Sequence, residues 1–430
     1  MSAHVGSWYA ASAAANAAAR PPRPTLAGRL EVDVCVVGGG IAGCSTALHL
    51  AERGYRVALL EAEVIGWGAS GRSGAQAITG VACGQSKLES LVGADDARRI
   101  WDMSVEALAL QRELIRKHAI DCDYIAGQMH VALKPRQERE LREEVAMLDR
   151  RYDYRAVRMV ERDELRTLID SNRYIAGTFD PLCGHLHPLK YTQGLAAAAE
   201  RLGVNIFEHS RALGYTRSSA EHLHVRIAAG EIRCRQLALC GNAWLGPTAP
   251  TLARKIISVG TYIIATQVLG AERAAALIRN NAAVTDVNWV IDYFRRSADH
   301  RLLFGGRVSY SGVDPLGTRR ATRARMLKVF PKLADVDVAY AWGGLVDITL
   351  NRAPHFGALE RGVYFVQGFS GHGIALTGIA GKLLAEAISG QSERFDIFGR
   401  IRHRDFPGGN ALRRPALVLA MLWYRLRDLL

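Results

Sequence analysis

The chain is expected to fold as an α/β protein, α+β overall, because three patterns recur along it. An apolar, β-branched run, Val34-Cys-Val-Val37, enters Gly38-Gly39-Gly40, a helical pattern follows to Arg53, and a second apolar run, Val57-Ala-Leu-Leu60, ends at Glu61. The same strand, glycine turn and helix recur at Gly362 to Ile388. Between Ile256 and Leu350 the apolar residues instead alternate with period two, the sign of half-buried antiparallel strands.

In chain order, residues 1–30 form an arm of small residues with Pro21-Pro22-Arg23-Pro24, either mobile or laid along the body. The first glycine turn has the strand, helix, second strand and acid of a dinucleotide-binding βαβ unit, a Rossmann-like arrangement. Gly38 permits the tight turn, Gly40 lets the backbone approach a pyrophosphate, and Gly43 lets the helix pack on its strand. Ile41 and Ala42 open the helix whose free N–H groups favour an anion. Glu61, followed by Ala62, stands at the distance from which a carboxylate accepts hydrogen bonds from a ribose. A second small-residue loop comprises Gly68, Ala69, Ser70, Arg72, Ser73 and Gly74, and lets backbone run close to something flat or anionic. Arg72 is expected to anchor that loop or the pyrophosphate.

Amphipathic helices at 95–118 and 135–149 form an outer layer. Pro188 opens a helix to Gly203, a strand follows at 204–208, and a meander spans 215–235. Leu237-Ala-Leu-Cys240 then returns to the parallel sheet, which places Gly241, and Ala212 before the meander, at its ligand-facing edge. Expected antiparallel strands at 259–268, 289–296, 301–308 and 336–348 would roof the ligand. The last turn, Gly371-His372-Gly373, leads into Ile374. Two anion-friendly turns suit a long cofactor with two ends, FAD rather than NAD, the second turn facing the flavin pyrimidine.

Four residues are candidates for chemistry. Arg352 either pairs with a substrate carboxylate or flavin, or makes a structural salt bridge. His372 offers its backbone to the cofactor or its ring as acid or base. Tyr293 and Trp342, with Trp289, either line a substrate pocket or belong to the core. His187, ahead of Pro188, reads as a cap more than a catalyst.

The chain has 430 residues, 49% hydrophobic and 23% charged, the balance of a water-soluble globular protein of two domains. Its net charge of +13 is spread without an aromatic-interleaved basic tract, so nucleic acid is not an expected partner. Seven cysteines show neither C-x-x-C pairs nor zinc spacing, and they read as small core residues in a reducing compartment. No metal is expected. With neither a secretory signal nor a membrane-spanning stretch, the cytoplasm follows by default. Oligomeric state is not legible. The expected division is an arm at 1–30, a cofactor domain at 31–110, 181–250 and 353–400, a substrate domain at 111–180 and 251–352, and a tail at 401–430 packing on the body.

Taken together, Ser7-Trp-Tyr-Ala-Ala-Ser12, the two glycine turns, Gly68-Ala-Ser-Gly-Arg72, Gly184-His-Leu-His-Pro188 and Phe406-Pro-Gly-Gly409 resemble the FAD-dependent amine and amino-acid oxidases of the D-amino-acid oxidase superfamily. Within it the chain is most similar to the γ-glutamylputrescine-oxidising branch. The resemblance implies noncovalent FAD, since no cysteine matches a flavin-linking position. It also implies oxidation of a small primary amine by molecular oxygen, giving an aldehyde, ammonia and peroxide. A dehydrogenase that passes electrons to a quinone, or a non-catalytic flavin-binding regulator, are the alternatives. Where the loop of the family reads Gly-Ala-Ser-Gly-Arg-Asn-Gly-Gly, this chain has Ser73 and Ala75 in place of Asn and the last Gly, and Ala75 fits with a negative φ.

Overall fold

The computed structural model describes residues 4–16, 22–309 and 317–407. The expected C-terminal tail therefore lies largely outside the described residues. Three sheets organise the chain. A six-stranded sheet runs in the order 355–360, 363–367, 236–239, 34–37, 57–60 and 205–207, parallel throughout except for the hairpin at its 355–360 edge. Val34–Val37 and Val57–Leu60 are buried at every position, as strands covered on both faces must be. A four-stranded sheet holds the expected meander, Gly214–Arg217, Leu223–Ile227 and Gly230–Cys234, with Gly28–Glu31 added in parallel.

The nine-stranded sheet contains the expected period-two strands, observed as Ile256–Thr266, Tyr293–Arg296, Leu302–Ser309 and Val338–Thr349. The strand expected from Trp289 begins only at Tyr293, and Trp289 is 44% exposed rather than core. Strands Ile125–Ala132 and Ala176–His185 extend this sheet.

Helix Ile41–Ala51 is buried from Ile41 to Leu50. Helix Gly373–Ile388 crosses it so closely that a Cβ on Gly381 would stand 2.6 Å from the Ser45 Cβ and 2.8 Å from the Ala42 oxygen. The Ser45 hydroxyl donates to the Gly378 carbonyl at 2.7 Å across the same crossing. Small residues at this contact set the first turns of one helix against the middle of the other.

Of the two expectations for the arm, its described part meets the second and lies along the body. Its helix, Trp8–Asn16, is wedged into a cluster with Trp342, Leu189 and Ile263. The Trp8 indole donates to Asp299 at 3.0 Å, and the Tyr9 hydroxyl to the Ser73 carbonyl at 3.0 Å. Ala75 overturns a second expectation: its φ is +65° rather than negative, so this alanine adopts the backbone that a glycine would hold without strain. All seven cysteines are free. Among the described residues no single helix is long and apolar enough to cross a membrane.

Candidate active site

A cleft enclosing about 1350 Å³, counted with its open mouth, lies where the carboxyl ends of the parallel strands meet the nine-stranded sheet. Its floor is the first glycine turn. Gly38, Gly40, Ile41 and Ala42 line it, and a Cβ on Gly38 would meet the Cys240 backbone at 2.8 Å. Gly43 lies outside the cleft and serves packing, because a Cβ there would fall 1.9 Å from the Gly38 oxygen.

Glu61 and Ala62 form one end of the cleft. The Glu61 carboxylate accepts from the Gly39 and Glu63 backbone N–H groups at 2.6 and 2.9 Å, so it braces the turn at this end of the cleft. Burial raises the Glu61 carboxyl above the usual range, with those two N–H groups opposing the shift.

Gly68, Ala69, Ser70 and Ser73 supply one wall. The Ser70 hydroxyl accepts from the Ile41 N–H at 3.0 Å, tying this loop to the helix start. Arg72 and Gly74 do not line the cleft. The Arg72 guanidinium stacks 4.1 Å above the Trp67 ring, and Gly74 sits against Tyr293. Ala212 and Gly241 line the opposite rim beside Asn242 and Trp244.

At the far end, Gly371, Gly373 and Ile374 line the cleft under strand residues Leu345, Val346 and Asp347. Neither N-cap residue, Gly40 nor His372, caps its helix through its side chain, and with the Ile41 N–H taken by Ser70 both helix starts still aim positive dipole ends toward one space. That arrangement fits an elongated anionic cofactor such as FAD. The buried Ser73 hydroxyl, which has no partner, gives it a further polar contact.

The four residues singled out for chemistry stand elsewhere. Trp342 is 5% exposed and donates through its indole to the Arg72 carbonyl at 3.0 Å, so it supports the loop from behind. Tyr293 packs under Gly305 and Gly74, its hydroxyl raised by burial. Arg352 occupies a left-handed turn at φ +64°, near enough to His372 to disfavour its protonation.

His372 faces away from the cleft, into a second cavity on the other side of its own turn. Burial, with the charge of Arg352, pushes its imidazole down to about 3, so the ring is neutral. His187 caps helix Pro188–Arg201, accepting from the Lys190 N–H at 3.1 Å.

Sequence reasoning missed the aromatic pair at the mouth, Trp67 and Trp244, whose centroids lie 5.1 Å apart. It also missed Asn242, which accepts from the Gly368 N–H at 3.0 Å and so ties the segment after strand 236–239 to the one ahead of helix Gly373–Ile388. The larger omission was Arg295, 4% exposed, which donates to the carbonyls of Gly74 at 3.2 Å and Leu186 at 3.0 Å. No ion pair among the described residues includes it. A charged residue in a strand otherwise read as core was the available signal.

Residues 33–387 match the family described as DAO, FAD dependent oxidoreductase. The gamma-glutamylputrescine oxidoreductase of Escherichia coli (strain K12) is 39% identical over 429 residues, covering 100% of this chain and 99% of that protein. Among solved structures, glycine oxidase from Geobacillus kaustophilus superposes with a TM-score of 0.71 at 19% identity, over 84% of this chain and 95% of its own. The L-proline dehydrogenase of P. horikoshii gives 0.71 at 19% identity, over 89% and 100%.

Proposed function

From the premise that this chain belongs to the DAO family of FAD-dependent oxidoreductases, we propose that it oxidises the primary amine of γ-glutamylputrescine or a close analogue to an aldehyde. Ammonia and hydrogen peroxide would be released, with molecular oxygen as the acceptor. The observation that carries the reading is the single cleft onto which the starts of two helices open, neither capped by its own N-cap side chain. The full-length likeness to the Escherichia coli enzyme supports the choice of substrate.

FAD, when bound, supplies the acceptor for a hydride from the carbon beside the amine. The residues of the chain hold and orient. The N–H groups of Gly40 and Ala42 would take the pyrophosphate, Glu61 the adenosine ribose, and the Gly371–Gly373 turn the pyrimidine edge, where charge builds on reduction. Leu345 and Val346 cover that end and keep water from the reacting carbon. With its imidazole neutral, His372 brings no proton charge to the turn at neutral pH. Cofactor attachment is noncovalent: Cys240, the cleft-lining cysteine among the described residues, has its thiol pushed up to about 12 by burial, which denies it a reactive thiolate.

The test is anaerobic mixing of the yellow protein with γ-glutamylputrescine, putrescine, sarcosine, glycine and D-amino acids. Bleaching fastest with γ-glutamylputrescine, followed in air by stoichiometric peroxide, is the expected result. Bleaching without peroxide would move the acceptor to a quinone. No bleaching by any amine would overturn the reading. Acid precipitation should leave the flavin in the supernatant.

A further inference from the structure

The second cavity encloses about 960 Å³, counted with its mouth, and shares with the cleft only the turn Gly371–Gly373. Gly371 and Gly373 line the cleft while His372 between them lines the cavity. The nine-stranded sheet supplies its floor through two cross-strand pairs, Gln128 with Asp180 and His130 with Thr178. Trp101 and Tyr154, whose ring centroids lie 5.2 Å apart, make an aromatic wall. The exposed Glu144 stands at the rim.

The charge balance of this lining is one-sided. Asp180 is 5% exposed and accepts from the Tyr154 hydroxyl at 2.6 Å and the Leu182 N–H at 2.9 Å, yet no ion pair among the described residues includes it. No arginine or lysine lines the cavity. Arg112, close by, spends a donor on the Leu182 carbonyl at 2.7 Å. The side chains of His130 and His372 have no hydrogen-bond partner among the described residues. Burial holds both imidazoles below their ordinary value, so they add no positive charge. A buried carboxylate, a second at the rim and two aromatic faces are what binds an alkylammonium ion.

We propose that this cavity binds a second ammonium group of the substrate, one that is not oxidised, and so selects amines carrying a distal cation. This rests on the proposed amine oxidation, since the turn that would hold the flavin edge is the partition between cleft and cavity. The reacting amine would then be held on the cleft side of Gly371–Gly373 and the distal ammonium on the side of Asp180.

The binding can be measured without turnover. Choline, which has no lone pair on nitrogen to support oxidation, and its uncharged isostere 3,3-dimethylbutan-1-ol are titrated calorimetrically into the flavin-loaded protein. Choline should bind at least about tenfold tighter. The preference should vanish in Asp180→Asn and fall by roughly threefold or more in Glu144→Lys, which changes an exposed helix residue. Equal binding of the two probes overturns the proposal. So does an undiminished preference in Asp180→Asn that retains wild-type melting and flavin absorbance or, where that variant does not fold, in Glu144→Lys. Choline preference without amine oxidation would support this site and strike the proposed reaction alone. Amine oxidation without choline preference would do the reverse.

Discussion

Arg295 donates to the Tyr9 hydroxyl at 2.9 Å, and Tyr9 donates in turn to the Ser73 carbonyl at 3.0 Å, so a strand residue and the N-terminal helix grip the cofactor loop between them. With Gly74 and Leu186 also accepting from Arg295, a buried guanidinium is satisfied by carbonyls and a phenol in place of a carboxylate. Tyr9→Phe removes one link and should cost about 1 kcal/mol. Arg295→Met leaves several buried acceptors empty and should cost about 3 kcal/mol or more, together with flavin content. Thermal denaturation of both flavin-loaded variants checks the order. Equal losses would show that Arg295 is not the centre of this network.

Gly43→Ala should abolish flavin retention. The added Cβ would lie 1.9 Å from the Gly38 oxygen, a backbone atom at the centre of the turn, so either the helix or the turn must move. Gly54→Ala is the control for glycine loss alone, because its φ of +82° is strained but no atom lies within 4 Å. Flavin absorbance per mole of purified protein should fall to near zero in the first and stay near wild type in the second.

Acid should unfold the protein through its buried histidines. His185, His187, His355 and His372 are all pushed down to about 3, each first of all by burial. Because the unfolded chain binds protons near pH 6.5 and the folded one does not, their contribution is fully present above that pH and is lost as pH falls toward 3. The urea midpoint should therefore drop steeply below pH 6.5, and His372→Asn should flatten the slope by about one proton. An unchanged slope would place the titration elsewhere.

Asp286 carries the opposite sign. Burial, then the neighbouring Asp292, raises its carboxyl to about 7. The folded state holds a proton that the unfolded state releases near pH 3.8, so this contribution is present below that value and is lost as pH rises through 7. Asp286→Asn should gain stability relative to wild type at pH 8 and little at pH 4. A uniform loss at both would mean that the hydrogen bonds Asp286 accepts from Asn288 and Asp292 outweigh its charge.

The parallel-sheet half of the fold was legible because its signals are local. A strand, a glycine turn and a helix lie within thirty or so residues of one another, and Gly38 to Glu61 and Gly362 to Ile388 each carry the whole unit. The arm was not legible, since what buries Trp8 and Tyr9 is Asp299, Trp342 and Arg295, residues that no periodicity near position 8 can report. Ala75 misled for a related reason. Its positive φ is imposed by the fit of its loop between the arm and the strand at Tyr293, not by its own preference. The side of the turn that His372 faces depends on a sheet register, which strand patterns alone leave undetermined.

The bond from Trp8 to Asp299 has a consequence for how the protein is made. During synthesis from the N-terminus, residues 8–16 leave the ribosome some 290 positions before the partner that buries them. The parallel strands at 34–37 and 57–60 can pair early, but the loop from Gly68 to Ala75 stays unclamped until the strands at 293–296 and 338–349 have emerged. The grip on this loop is thereby completed only once about four-fifths of the chain has been made, and a nascent chain stalled before position 293 would lack it.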